Sequence, residues 1–310
     1  MKKCYYTLIL GLIIFISCDK NTDYVYIDEN GNICDVDNNK NQNSELNITA
    51  RILQQSELST GITPMQVNRY AHIYVYKNNQ SPLNSQYLSM GVFKCETIGT
   101  LTSVSWPITL KNGTYNLYSA GSNYIGVDQG PNFYNGIASN LSQGVDYLWW
   151  KQSNVTINNG SNIIPITYSH SCAEIVIKFS ASKNNVLNKL SHVDITLGNT
   201  VHCKMALASG YITPSKSISN NPTMMIIDEF ETSVITLPIA PASSTKYLTS
   251  TILATVNNQQ YWYTLRVPLP SDNNSFLGGN SYVYSAVFEK VTGYAEDSFI
   301  DAKLESVVKR

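Results

Sequence analysis

The sequence predicts an all-β protein built as two tandem β-sandwiches. Three observations carry this. Apolar residues recur mostly with period two, and helical periodicity is nearly absent. Tyr is abundant, at 21 of 310 residues, and Asn, Ser and Thr recur throughout, a mix that suits half-exposed strands joined by polar turns. The strands fall into two runs of six or seven with turn signals between them. The length is enough for two domains of ordinary size.

The first run begins where Leu46, Ile48, Ala50 and Ile52 alternate with Asn47, Thr49 and Arg51, a half-buried strand with Arg51 pointing outward. Ala71, Ile73 and Val75 alternate with His72, Tyr74 and Tyr76, which puts His72 on the outer face. The 99–103 stretch is too polar for a firm strand start. Val104 to Leu110 reads as a strand that turns through Asn112-Gly113 into Tyr115–Ala120, since Asn-Gly is the strongest short hairpin signal. The 121–145 region, rich in Gly, Asn and Ser, reads as a long loop. Val155–Ile157 and Ile163–Ile166 form a pair around Asn158-Asn159-Gly160. The boundary falls near Tyr168, so the domains are 45–168 and 169–310.

The second run holds Ala173–Phe179, Val193–Leu197, Cys203–Ala208, Met224–Ile227 and Val234–Leu237. Leu248–Val256 and Tyr261–Val267 flank Asn257-Asn258 as a hairpin. Tyr282–Phe288 is apolar on both faces, as in a central strand. Ile300, Ala302, Leu304 and Val308 supply a final alternation.

Before these runs stands a leader. Lys2 and Lys3 precede an apolar run from Leu8 to Ile16, and Ser17-Cys18 closes it. This is the layout of a secretory signal peptide, residues 1–17, and the run falls short of the roughly 20 residues of a membrane-spanning helix. A cysteine at the cleavage point is the lipidation site of a bacterial lipoprotein, so Cys18 is expected to carry a diacylglycerol and to begin the mature chain. Two or three acyl chains, at about 0.8 kcal/mol per buried methylene, hold a protein stably on a membrane. Phe15 stands where Leu is usual, a departure from the lipoprotein pattern. Residues 18–44 are mostly polar and read as a flexible tether. Asp28, Asn30 and Asn32 hint at a calcium loop, but Gly31 is two positions early and Asn39 replaces the closing Glu, so no metal site is assigned.

Only 14 % of the residues are charged. Losing Lys2 and Lys3 changes 21 basic against 22 acidic residues to 19 against 22. No basic patch stands out, and nucleic acid is not an expected partner. Cys172 and Cys203 are a possible disulfide in an exported chain, with buried free thiols as the alternative. None of His72, His170, His192 and His202 has zinc-motif spacing, and no nucleophile elbow, P-loop or dinucleotide fingerprint occurs. Asp228-Glu229 reads as a solvated turn. No enzyme activity and no cofactor are therefore expected. Trp149-Trp150 beside Tyr147 invites a second reading, a glycan-binding surface lipoprotein of a polysaccharide-uptake system.

Several motifs, taken in order, resemble the fimbrillins of Bacteroidales, the subunits of type V pili. They are Gly113-Thr114-Tyr115-Asn116-Leu117-Tyr118-Ser119-Ala120, the Ile166–Phe179 segment, and Tyr263-Thr264-Leu265-Arg266-Val267-Pro268 followed by Phe276-Leu277-Gly278-Gly279 and Tyr282-Val283-Tyr284. The resemblance implies transthyretin-like Greek-key sandwiches, export as an outer-membrane lipoprotein, and display on the cell surface in a fimbrium. It also implies a cut after Arg that removes the first strand, with Arg51 and Arg69 as candidate processing sites. A strand from another subunit then fills the vacated groove, so the implied partners are other fimbrial subunits. Stalk, anchor and tip roles are all compatible with the sequence.

Overall fold

The computed structural model describes residues 26–27, 33–34, 44–56, 59–104, 107–160, 162–241, 244–271, 274–289 and 299–310. The signal segment, Cys18 and the calcium-like residues Asp28 to Asn32 lie outside them. The described residues form strands and no helix. The chain divides into residues 1–42 and a compact unit, 43–310.

In the first unit, β1 (Tyr26–Ile27) pairs antiparallel with β2 (Ile33–Cys34). The stretch expected to be wholly tether thus contains a short hairpin.

The second unit opens with β3 (Ser44–Ser56) and β4 (Ser59–Pro64). Next come β5 (Tyr70–Lys77), β6 (Ser89–Thr97), β7 (Thr100–Ser103), β8 (Thr109–Leu110) and β9 (Gly113–Ser122). After β10 (Ile137–Ala138) follow β11 (Tyr147–Ile157) and β12 (Asn162–His170). Pairing runs β12-β11-β9-β5-β6-β7-β3, and β3 pairs in parallel with β12, so the hydrogen-bonded circuit closes on itself. The enclosed core includes Ile48, Ala50, Ile52, Ile73, Val75, Phe93, Leu101, Leu117, Leu148, Ile166 and Tyr168.

Three local expectations fail here for a common reason. Val155–Ile157 pairs with β9 and Ile163–Ile166 with β3, so the two segments do not pair with each other around Asn158-Asn159-Gly160. The strand after Gly99 is Thr100–Ser103, and Val104, Pro107 and Ile108 are not in strand. The Asn112-Gly113 turn does not pair its flanks: β8 pairs with β3, while β9 pairs with β5 and β11. Long-range partners outweigh the local turn preference.

The rest of the chain supplies β13 (Ala173–Ala181), β14 (Leu187–Gly198), β15 (Met205–Ala206), β16 (Ile218–Met224), β17 (Ile226–Asp228) and β18 (Glu231–Thr236). It continues with β19 (Tyr247–Val256), β20 (Gln259–Pro268), β21 (Asn280–Phe288), β22 (Phe299–Asp301) and β23 (Lys303–Lys309). Two five-stranded sheets result, ordered β17-β18-β13-β21-β23 and β16-β14-β19-β20-β22, and they enclose one core. The β19–β20 hairpin turns at Asn257 and Asn258, both with positive φ, the geometry of a two-residue primed turn. β21 lies inside its sheet, as its two apolar faces predicted.

A third buried cluster joins residues from both halves. Tyr74, Tyr76, Tyr118, Val145 and Tyr147 pack with Cys172, Cys203, Met205, Leu207 and Leu237. β10 pairs with β15 across this junction. The expected strand Cys203–Ala208 is reduced to that two-residue pairing. The 121–145 region is therefore a structured cover, and it buries the outer face of β5. His72 is only 3 % exposed, contrary to the outward placement expected from alternation. Its Nε2 lies 2.7 Å from Asp128 Oδ2, and this bond, against the opposing effect of burial, holds the Asp128 carboxyl below its ordinary range. The Gly-Gly motif also has a junction role. A Cβ on Gly278 would lie 2.1 Å from the Ser171 carbonyl oxygen, so only glycine fits.

Cys172 and Cys203 are two separate buried thiols in the junction cluster, and Cys95 is a third buried free thiol in the first half. Burial, with Asp146 nearby, pushes the Cys172 thiol far above its ordinary value and leaves it inert. Thiol titration is expected to find all three unreactive in the native chain and reactive once it is unfolded.

Candidate assembly interface

The candidate site is the first strand of the compact unit and the groove that holds it. Leu46, Ile48, Ala50 and Ile52 are buried, and Glu45, Asn47, Thr49 and Arg51 are exposed, which is the alternation read from the sequence. Along one edge β3 pairs in parallel with β12, from Leu46 beside Asn162 to Ile52 beside Tyr168. Along the other it pairs with β8 at Ser44 and Glu45, β7 at Ile48 and Thr49, and β4 from Arg51 to Ser56. Burying a Leu or Ile side chain is worth roughly 1.5–3 kcal/mol. Leu46, Ile48 and Ile52 together therefore contribute roughly 5–9 kcal/mol, comparable with the whole stability of an ordinary domain, about 5–15 kcal/mol.

The candidate processing residues differ sharply. Arg51 lies inside β3, beside Thr167 on one edge and Pro64 on the other. It is not at the strand's end, because β3 continues to Ser56. Strand pairing on both edges denies a protease the extended, unpaired backbone it needs. Arg69 lies between β4 and β5, just after a turn whose Asn68 has φ 61°. Its Nε donates to the Asn123 carbonyl at 3.2 Å, and its own carbonyl accepts from Cys95 N at 2.8 Å. A break after Arg69 would separate β3 and β4 together from the rest of the unit.

The last strands form a second element of interest. β22 pairs in parallel with β20, and β23 pairs with β21 as the edge of the other sheet, so the chain changes sheets at Ala302. Ile300 and Ala302 are buried; Leu304, Ser306 and Val308 are half-buried. Beyond β23 the Arg310 guanidinium enters the junction. Its Nη2 is 3.2 Å from Asp146 Oδ2 and its Nε 3.5 Å from Glu174 Oε2. His170 Nδ1 is 2.7 Å from the same Asp146 oxygen. Burial alone would raise the Asp146 pKa, but His170, Arg310 and Asn123 outweigh it and hold the carboxyl below its ordinary value. Alternation gave no hint of this cluster, since Asp146, the His170–Glu174 pair and Arg310 come from three separate parts of the sequence.

The tryptophan pair is structural in part. Trp149 Nε1 donates to the Leu207 carbonyl at 2.7 Å, tying β11 to the second half, and Trp150 packs on the first core. His192 bonds Asp194, and Asp228 and Glu229 are exposed at a turn, as expected. Among the described residues no group of His, Cys, Asp and Glu could hold a metal ion.

The compact unit thus combines a closed strand circuit, with its first strand embedded in it, and a pair of five-stranded sheets. The fimbrillin-like family matches residues 72–305, and the chain belongs to that family. Among solved structures, a candidate cell adhesion protein of Bacteroides ovatus ATCC 8483 superposes with a TM-score of 0.59 at 16 % identity, covering 86 % of this chain and 98 % of that one. A second from Bacteroides uniformis ATCC 8492 gives 0.57 at 12 % identity, covering 87 % and 98 %. A third from Bacteroides fragilis NCTC 9343 gives 0.53 at 14 %, covering 85 % and 97 %. At these identities the likeness is one of fold. No curated protein matches the chain.

Proposed function

We propose that the chain is a structural, non-enzymatic subunit of a cell-surface fimbria. It is exported as a lipoprotein anchored through Cys18 and assembles with other fimbrial subunits after its first strand is removed. Family membership supports the fimbrial role. The observation that carries the mechanism is the position of β3, which closes the strand circuit between β12 and β7. Its loss would leave two lines of unpaired backbone groups flanking an open apolar groove. Such an edge captures an incoming strand through main-chain hydrogen bonds, and alternate side chains set the register. Of the two arginines, Arg69 is the processing site we favour, because it lies outside the strands. Ile300 to Leu304, alternating at the end of the chain, is the candidate donor segment.

The full chain, purified from membranes and treated with an Arg-specific protease, should give a new N-terminus at Tyr70 and SDS-resistant multimers. Arg69→Ala should abolish both, and Arg51→Ala neither. A chain cut fully after Arg69 that stays monomeric would overturn the mechanism.

A further inference from the structure

A cleft of about 230 Å3 opens on the first half, away from β3 and from the buried charge cluster. Its floor is the fully buried pair Tyr74 and Tyr76. Tyr87 and Phe133 rise from that floor, each with its ring centroid 5.7 Å from that of Tyr74 and set edge-on to it. Tyr87 is 47 % exposed, and Tyr134 at the rim is 82 % exposed.

That rim is built, not loose. Asn135 and Gly136 both have positive φ, and Tyr134 and Ile137 exchange backbone hydrogen bonds across them, a tight two-residue turn. A Cβ on Gly136 would lie 2.4 Å from the Pro82 carbonyl oxygen, so the turn is pressed against the opposite lip. The Gly136 carbonyl accepts from Leu207 N at 2.9 Å. On the opposite lip, Asn84 Oδ1 accepts from Ser81 N at 3.0 Å, and Leu88 N donates to the Val75 carbonyl at 2.7 Å. A large aromatic ring held in water on a rigid turn serves no packing purpose, and Tyr is the residue type that anchors ligands with little loss of side-chain freedom.

We propose that this cleft binds one ring of a neutral sugar. None of the side chains that line it is charged, so it offers no ion pair to a carboxylate, phosphate or ammonium. Exposed rings match the apolar C–H faces of a pyranose. Ser85, Gln86 and Asn135 on the same lining add donors and acceptors that suit its hydroxyls. The volume is below the roughly 300 Å3 at which pockets for drug-sized ligands begin, which fits a single ring. The site is distinct from the Trp149-Trp150 pair and stands on the cleft alone, whether or not the chain assembles into a fimbria.

The test is saturation-transfer NMR on the full unprocessed chain with a panel of methyl glycosides of neutral hexoses and N-acetylhexosamines, and tetramethylammonium as a cationic control. At least one glycoside should bind. Tyr134→Ala should weaken it tenfold or more with the thermal midpoint unchanged, and Tyr134→Phe should retain it. The proposal is overturned if no glycoside binds, if tetramethylammonium alone binds, or if Tyr134→Ala and Tyr87→Ala both leave glycoside binding intact.

Discussion

Ile48→Asp should remove most or all of the stability of the first half of the compact unit. Ile48 is 2 % exposed and sits in β3 between β12 and β7. Truncating such a side chain costs about 2–5 kcal/mol, and burying an unpaired carboxylate adds several more. The sum reaches the range of a whole domain's stability, about 5–15 kcal/mol. Thr49→Ser, one residue away on the exposed face, should stay within about 0.5 kcal/mol. Urea unfolding followed by circular dichroism separates the two. Equal stability of Ile48→Asp and the natural chain would mean that β3 is dispensable, and the strand-exchange mechanism would lose its energetic basis.

The second large effect concerns the junction. Removing one partner of a buried ion pair costs about 3–5 kcal/mol, because the other charge is left without compensation. Arg310→Ala leaves Asp146, which is 6 % exposed, with only its His170 and Asn123 partners, and should destabilise the chain by up to that amount. The effect has a defined pH dependence. The folded Asp146 pKa lies below its unfolded value, about 3.9. Its contribution is therefore present above about pH 4 and is lost as the pH falls through the folded value. The stability gap between the natural chain and Asp146→Asn should narrow as the pH is lowered through this window. A gap that stays constant down to acid pH would show that the carboxylate charge is not what stabilises the junction.

How much of this was legible in the sequence depended on range. The alternation from Leu46 to Ile52 fixed both the strand and its buried face. Asn257-Asn258 marked a hairpin, because its flanking strands pair with each other. Asn112-Gly113 carried an equally good turn signal and misled, because β8 and β9 have better partners elsewhere. His72 alternates as an outward residue, yet the 121–145 segment returns over β5 and buries it beside Asp128. The aromatic cleft arises from the same event, since Tyr74 and Tyr76 alternate outward with His72 and become its floor under that cover. Periodicity reports which face of a strand is apolar but not what a distant segment later lays across the other. The Asp146–His170–Glu174–Arg310 cluster is the extreme case, in which no spacing rule connects the four positions.

The most direct measurement is the N-terminal sequence and lipid state of the protein in SDS-resistant assemblies isolated from cells. The strand-exchange account predicts chains that start at Tyr70 and carry no lipid, with a ladder of multimers that Arg69→Ala abolishes. A ladder built of chains that still carry Leu46 to Ile52 would contradict it, because the groove would then never have been vacated.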